Sequence, residues 1–113
     1  MLLPDYVDEA FDQAERLRAA GHFESARRLY RMVLAEWPDF APAQVGLSVC
    51  TLNLGDLEDA LDDLRRAVDL DPGNPAYRAD LAQALSILGR HDEAREQLRR
   101  AQRDSIDEGG TEE

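Results

Sequence analysis

The chain has 113 residues, a mass of 12.7 kDa and a formal net charge of −11, with 43% hydrophobic and 33% charged residues. That is room for one domain with a packed core, and too apolar for a wholly disordered chain. So acidic a chain (pI about 4.5) repels phosphate backbones and anionic lipid, so no nucleic acid and no membrane is expected as a partner.

All 13 basic residues are arginine, a codon-bias signature of a GC-rich and, by that reading, bacterial genome. The lone Cys50 forms no intrachain disulfide, and Met1-Leu2-Leu3-Pro4-Asp5 has neither the basic region nor the long apolar run of a signal peptide. No stretch approaches the roughly 20 apolar residues of a membrane span, so a cytoplasmic location is expected.

In chain order, Tyr6, Ala10, Phe11, Ala14 and Leu17 recur at helical spacing and predict a helix to about Ala20, with Pro4 where it begins and Asp5, Asp8 and Glu9 in its first turn. Gly21 ends it. A second helix restarts at Phe23 through Ala26, Leu29, Tyr30, Val33 and Leu34 and stops at Pro38. Pro42 then opens a third through Val45, Val49 and Leu52 to Gly55, and Leu57, Ala60, Leu61, Leu64 and Val68 make its partner. Pro72-Gly73-Asn74-Pro75 is the strongest turn signal, and beyond it come Ala79, Leu81, Leu85 and Leu88, then Ala94, Leu98 and Ala101.

The pattern is one unit written three times. Ala20-Gly21-His22-Phe23-Glu24-Ser25-Ala26, Leu54-Gly55-Asp56-Leu57-Glu58-Asp59-Ala60 and Leu88-Gly89-Arg90-His91-Asp92-Glu93-Ala94 lie 34 residues apart, as do Trp37-Pro38-Asp39 and Asp71-Pro72-Gly73. Short connections force paired helices antiparallel, giving an all-α chain of six helices in three hairpins. The early alanine of each second helix, Ala26, Ala60 and Ala94, fits where two helices approach most closely.

These residues resemble the tetratricopeptide repeat (TPR) family. The likeness rests on small Ala14, Ser48 and Ala82 in the first helices, on Gly21, Gly55 and Gly89 at the turns, on Ala26, Ala60 and Ala94, and on Pro38 and Pro72 at the repeat ends. It departs where the family often has tryptophan, here Ala10, Gln44 and Arg78, and the third copy ends without proline. The resemblance implies an α-solenoid with a concave groove. Its divisions would be a lead-in at 1–6, repeats at 7–40, 41–74 and 75–104, and an acidic tail at 105–113 expected to lack structure.

Second-helix positions that read Leu34 and Val68 become Gln102 in the last copy, and Glu36 and Leu70 become Asp104. A polar outer face of this kind is expected of a terminal repeat. Leu2, Leu3 and Tyr6 either cover the first hairpin or meet another chain.

The resemblance places the first helix of each hairpin on the concave side. The exposed groove positions are then Asp8, Phe11, Glu15, Arg18 and Ala19, followed by Pro42, Val45, Val49, Leu52 and Asn53, and by Ala76, Ala79, Gln83, Ser86 and Ile87. Phe11, Val45, Val49, Leu52 and Ile87 form an apolar patch that asks for cover, rimmed by Glu15, Arg18, Asn53 and Gln83, with Ala79 between. Three helices at about 8–10 Å spacing span an extended peptide of about 6–9 residues. The expected partner is a protein or peptide with hydrophobic anchors. The competing reading buries the same patch in a homo-oligomer.

A subset of the family grips a C-terminal carboxylate with basic groups, but the corresponding positions here are Phe11, Glu15, Gly46, Ala76 and Asp80, and none is a cation. The chain also resembles, more weakly, the three-repeat chaperones of bacterial type III secretion, through Ala10-Phe11, Gly21-His22-Phe23-Glu24-Ser25-Ala26 and Gly46-Leu47-Ser48-Val49-Cys50. That implies a role in holding an apolar segment of a secreted translocator or apparatus subunit. The N-terminal extension such chaperones use for dimerising is not in these residues.

No catalytic, cofactor or metal site is expected. His22 and His91 fall in turns two repeats apart, and Asp69-Leu70-Asp71-Pro72-Gly73-Asn74 lacks glycine at the sixth position of a calcium loop. Cys50 reads as buried filler without a histidine beside it, and Glu58, Asp59, Asp62 and Asp63 read as a solvated convex face.

Overall fold

The computed structural model describes residues 5–110, with side chains from Tyr6 to Arg103. Its helices are α1 (Asp5–Ala19), α2 (Phe23–Glu36), α3 (Ala41–Asn53), α4 (Leu57–Leu70), α5 (Pro75–Ile87) and α6 (His91–Gly110). There is no strand among the described residues. Leu2 and Leu3 lie outside them, as do 111–113. α6 continues past residue 104 to Gly110, so residues 105–110, expected to lack structure, are helical.

One turn is built three times. Gly21, Gly55 and Gly89 have φ of 85°, 88° and 80°, the left-handed region in which a side chain is strained. That conformation lets two amides turn back on the helix just ended: Gly21 N–H donates to the Arg18 carbonyl at 3.0 Å and His22 N–H to Leu17 at 2.8 Å. Asp56 N–H to Thr51 and Arg90 N–H to Leu85, both 2.8 Å, repeat the second bond. Carbonyls that a helix end leaves unpaired are thereby satisfied, and the chain reverses in three residues. Between hairpins the chain turns differently. Pro42 and Pro75 stand in the first turns of α3 and α5, and Asn74 caps α5 by accepting from Ala76 N–H at 3.0 Å.

Within each hairpin the helices pack on each other; between hairpins α2 packs on α3, α4 on α5, and α1 touches α3. The expected small residues sit at the closest contacts: Ala14, Ser48, Ala26 and Ala60 are 0% exposed, Ala82 2% and Ala94 3%. The core forms two clusters. One joins the first hairpin to α3 through Val7, Tyr30, Val33, Leu47 and Cys50, and the other joins α4 to the third hairpin through Leu61, Leu64, Leu81 and Leu85.

Candidate functional site

Because α1, α3 and α5 lie on the same side, residues far apart in sequence share one hollow. Glu15 and Arg18 of α1, Pro42, Val45, Gly46 and Val49 of α3, and Tyr77 of α5 line a depression of about 260 Å³. Its floor is aliphatic and aromatic and its α1 wall is charged.

That wall is held in place by a buried tyrosine from behind. Arg18 Nε donates to the Tyr30 hydroxyl oxygen at 2.9 Å, Arg18 Nη2 donates to Glu15 at 3.0 Å, and the Tyr30 hydroxyl donates to the other Glu15 oxygen. Burial, then the Glu15 acceptor, push the Tyr30 phenol well above its usual range, so it stays a neutral donor. Arg18 is raised by its bond to Tyr30. Two long side chains that would otherwise sample many rotamers are thus fixed at the rim.

Gly46 makes this possible. A Cβ at Gly46 would stand less than 3.0 Å from the Cζ, Cε1 and Oη atoms of Tyr30. Only a residue without a side chain lets α3 close over the ring. The Phe11 ring meets Tyr30 edge-on at 6.1 Å and Phe40 at 5.0 Å, while Trp37 stacks on Phe40 at 4.0 Å.

None of the positions expected in the groove is buried. Glu15, Arg18, Val45 and Val49 converge on the hollow. Phe11 and Leu52 are half-buried and lean on the first and second core clusters respectively. Ala79 and Gln83 are exposed further along α5, Ile87 is 53% exposed at its end, and Asn53 is exposed with its amide donating to the Val49 carbonyl at 2.8 Å. Tyr77 was not foreseen. Its counterparts one and two repeats back are Ala43 and Glu9, and an aromatic ring at a position otherwise filled by those residues was the available signal.

Asp63 departs from expectation. It is half-buried rather than solvated, and burial followed by Asp59 pushes its pKa up to about 6, against the opposing pull of Arg31. The period places Asp63 on α4 but does not show that it faces Thr51 of α3 and Arg31 of α2. Cys50 is 0% exposed, and burial pushes its thiol up to about 11, which keeps it protonated and inert. His22 and His91 are exposed at helix starts. Asp80, one of the positions compared with the carboxylate clamp, is half-buried, and burial raises its pKa. Among the described residues no three His, Cys, Asp or Glu side chains are grouped to hold a metal ion, and no helix is long and apolar enough to cross a membrane.

A stack of helical hairpins with a preformed groove defines a repeat scaffold of the kind that recognises other proteins. Tetratricopeptide-repeat family models match residues 11–75 and 52–105, and the chain belongs to that family. A curated relative, cellulose synthase operon protein C of Pseudomonas fluorescens (strain SBW25), is 33% identical over 88 residues, which are 78% of this chain and 7% of that protein's length. Solved structures share the fold. A MamA RS-1 ArsTM double mutant superposes with a TM-score of 0.88 at 21% identity, over 93% of this chain and 59% of its own. PcrH in complex with the chaperone binding region of PopB superposes at 0.86 and 21% identity, over 93% and 85%.

Proposed function

We propose that the chain is an adaptor or chaperone module, working in the bacterial cytoplasm, whose concave hollow takes an apolar side chain from an extended segment of a partner protein. The observation that carries this reading is the 260 Å³ hollow itself: apolar Pro42, Val45, Val49 and Tyr77 beside the pre-set Glu15–Arg18 wall. An apolar floor supplies affinity, and the fixed donor and acceptor orient the peptide's polar groups. Phe11, Leu52 and Ile87 extend the apolar surface along the groove, while Asn53, Ala79 and Gln83 form its far rim. The absence of a cation at Phe11, Glu15, Gly46, Ala76 and Asp80 argues against a partner presenting a terminal carboxylate.

A second reading is favoured by the superposition on PcrH, a chaperone solved with a binding region of PopB. On it the guest is an apolar stretch of a secreted translocator or apparatus subunit.

Fluorescence polarisation with labelled peptides of about 6–9 residues bearing two or three hydrophobic anchors tests both readings. Val49→Asp is expected to weaken capture at least tenfold with the helical circular dichroism unchanged. Undiminished capture by that variant moves the site off the concave face. A stable oligomer protected at Val49 and Leu52, with no peptide uptake, supports the reading in which the groove is closed by copies of the chain.

A further inference from the structure

The two junctions inside the stack use the same repeat positions for opposite chemistry. Where α3 closes on the first hairpin, Gly46 lies against Tyr30, which is bonded to Glu15 and Arg18. One period on, where α5 closes on the second hairpin, Asp80 takes the place of Gly46, and the counterparts of Glu15, Arg18 and Tyr30 are Val49, Leu52 and Leu64. A carboxylate thus occupies the position whose sibling has no side chain, opposite aliphatic residues where the first junction has a guanidinium and a hydroxyl. Leu52 and Tyr77 both pack on the core cluster that contains Leu64.

Nothing in the fold offsets that charge. Asp80 is half-buried, and among the described residues no hydrogen bond or ion pair reaches its carboxylate. Burial raises its pKa and no neighbouring cation pulls it back. The nearest arginine in sequence, Arg78, donates instead to Gln97 and to the Pro72 carbonyl, each at 3.2 Å. Glu15, across the groove, has its oxygens engaged by Arg18 and Tyr30. A half-buried carboxylate without a partner costs stability, and a residue that breaks a local rule with no compensating gain inside the fold points to a function outside it.

Asp80 also stands beside the hollow. Tyr77, which lines it, lies one helical turn earlier on α5, and burial, then Asp71 and Asp80, raise the Tyr77 phenol. A turn is about 5.4 Å, within reach of a long side chain rooted next to a seated anchor. α3, the floor of the groove, carries no charged residue, and the chain as a whole has a net charge of −11, so the surrounding field favours a cation.

We propose that the guest segment carries a lysine or arginine next to its apolar anchor, the anchor filling the hollow of Val45, Val49 and Tyr77 while the cation pairs with Asp80. The pairing supplies the counter-charge that the fold withholds, and it gives the groove a register as well as an affinity. It rests on the groove reading above and narrows the guest to a basic one.

The test is fluorescence polarisation with a series of labelled peptides of about 6–9 residues. Their apolar anchors are fixed, one lysine is moved through the flanking positions, and each peptide is matched to its glutamine counterpart. At one position of the series the wild-type chain is expected to hold the lysine peptide about tenfold more tightly than its match, and less so in high salt. Asp80→Asn is expected to erase that preference while holding the glutamine peptides as before, with circular dichroism and a urea midpoint no lower than wild type as the check on folding. Asp62→Asn, which removes the same charge from an exposed face of α4, is expected to keep it. Lysine and glutamine peptides held alike by the wild-type chain overturn the pairing and leave the groove reading standing. A preference lost equally in both variants, or kept in both, also overturns it, since the charge at Asp80 would then have no special part. Capture of none of the peptides overturns the groove reading and the pairing together.

Discussion

Substituting Gly46→Ala adds one methyl group and should be costly for a reason that lies in α2. In an isolated helix the change stabilises by about 1 kcal/mol, since alanine is the better helix former. Here the new Cβ falls less than 3.0 Å from three atoms of the Tyr30 side chain, which is 0% exposed and has nowhere to retreat without leaving Glu15 and Arg18. Overpacking of this kind costs about 1–3 kcal/mol, and loosening hydrogen bonds to charged partners about 1.5–3 kcal/mol more. The net expectation is a loss of about 1.5–5 kcal/mol. Replacing Tyr30 by leucine, the residue at the equivalent Leu64, removes the ring, so Gly46→Ala in that background should become neutral or stabilising by up to about 1 kcal/mol. Urea melts of the four proteins form a double-mutant cycle with an expected coupling of about 3 kcal/mol. Equal effects of Gly46→Ala in both backgrounds would refute the packing argument.

Two further outcomes follow from burial. The folded pKa of Asp63, about 6, lies above its ordinary 3.8, so the fold disfavours the carboxylate; the penalty is complete above pH 6 and disappears as pH falls toward 3.8. The gap is worth at most roughly 3 kcal/mol, less for partial solvation and the Thr51 bond. Asp63→Asn should therefore stabilise at pH 8 and lose that advantage near pH 4, read from urea midpoints at the two values; a benefit independent of pH would contradict the assignment. Ala60→Arg places a charge at a position that is 0% exposed and should cost about 3–5 kcal/mol in a thermal melt, whereas Asp62→Arg on the exposed face should shift stability by about 0.5 kcal/mol or less. A normal midpoint for Ala60→Arg would contradict the register of α4.

The architecture was legible because the period, the turn glycines and the small residues at Ala26, Ala60 and Ala94 are local features repeated in register. What was not legible depends on the neighbour across a gap. Asp63 belongs to an acidic run whose other members are exposed, and only the approach of α2 and α3 buries it. Leu98 carries the same pattern as Tyr30 and Leu64 and is uncovered because the described residues stack no hairpin upon it. Gly46 was noted for lacking a cation and as part of the Gly46–Cys50 stretch, not for its missing side chain, since the ring that excludes any side chain there comes from another repeat. The aliphatic members of the hollow, Val45 and Val49, were legible from the face they occupy, and Tyr77 was missed although an aromatic ring where its siblings hold Glu9 and Ala43 was a signal in the sequence.

The central claim is that the concave side receives a guest, and amide chemical-shift mapping tests it most directly. A saturating peptide with hydrophobic anchors, titrated into the isotope-labelled chain, is predicted to shift Glu15, Arg18, Val45, Val49 and Tyr77 together while leaving Met32, Arg66 and Arg100 unmoved. Shifts confined to those last three residues, or none on α3, would contradict the account.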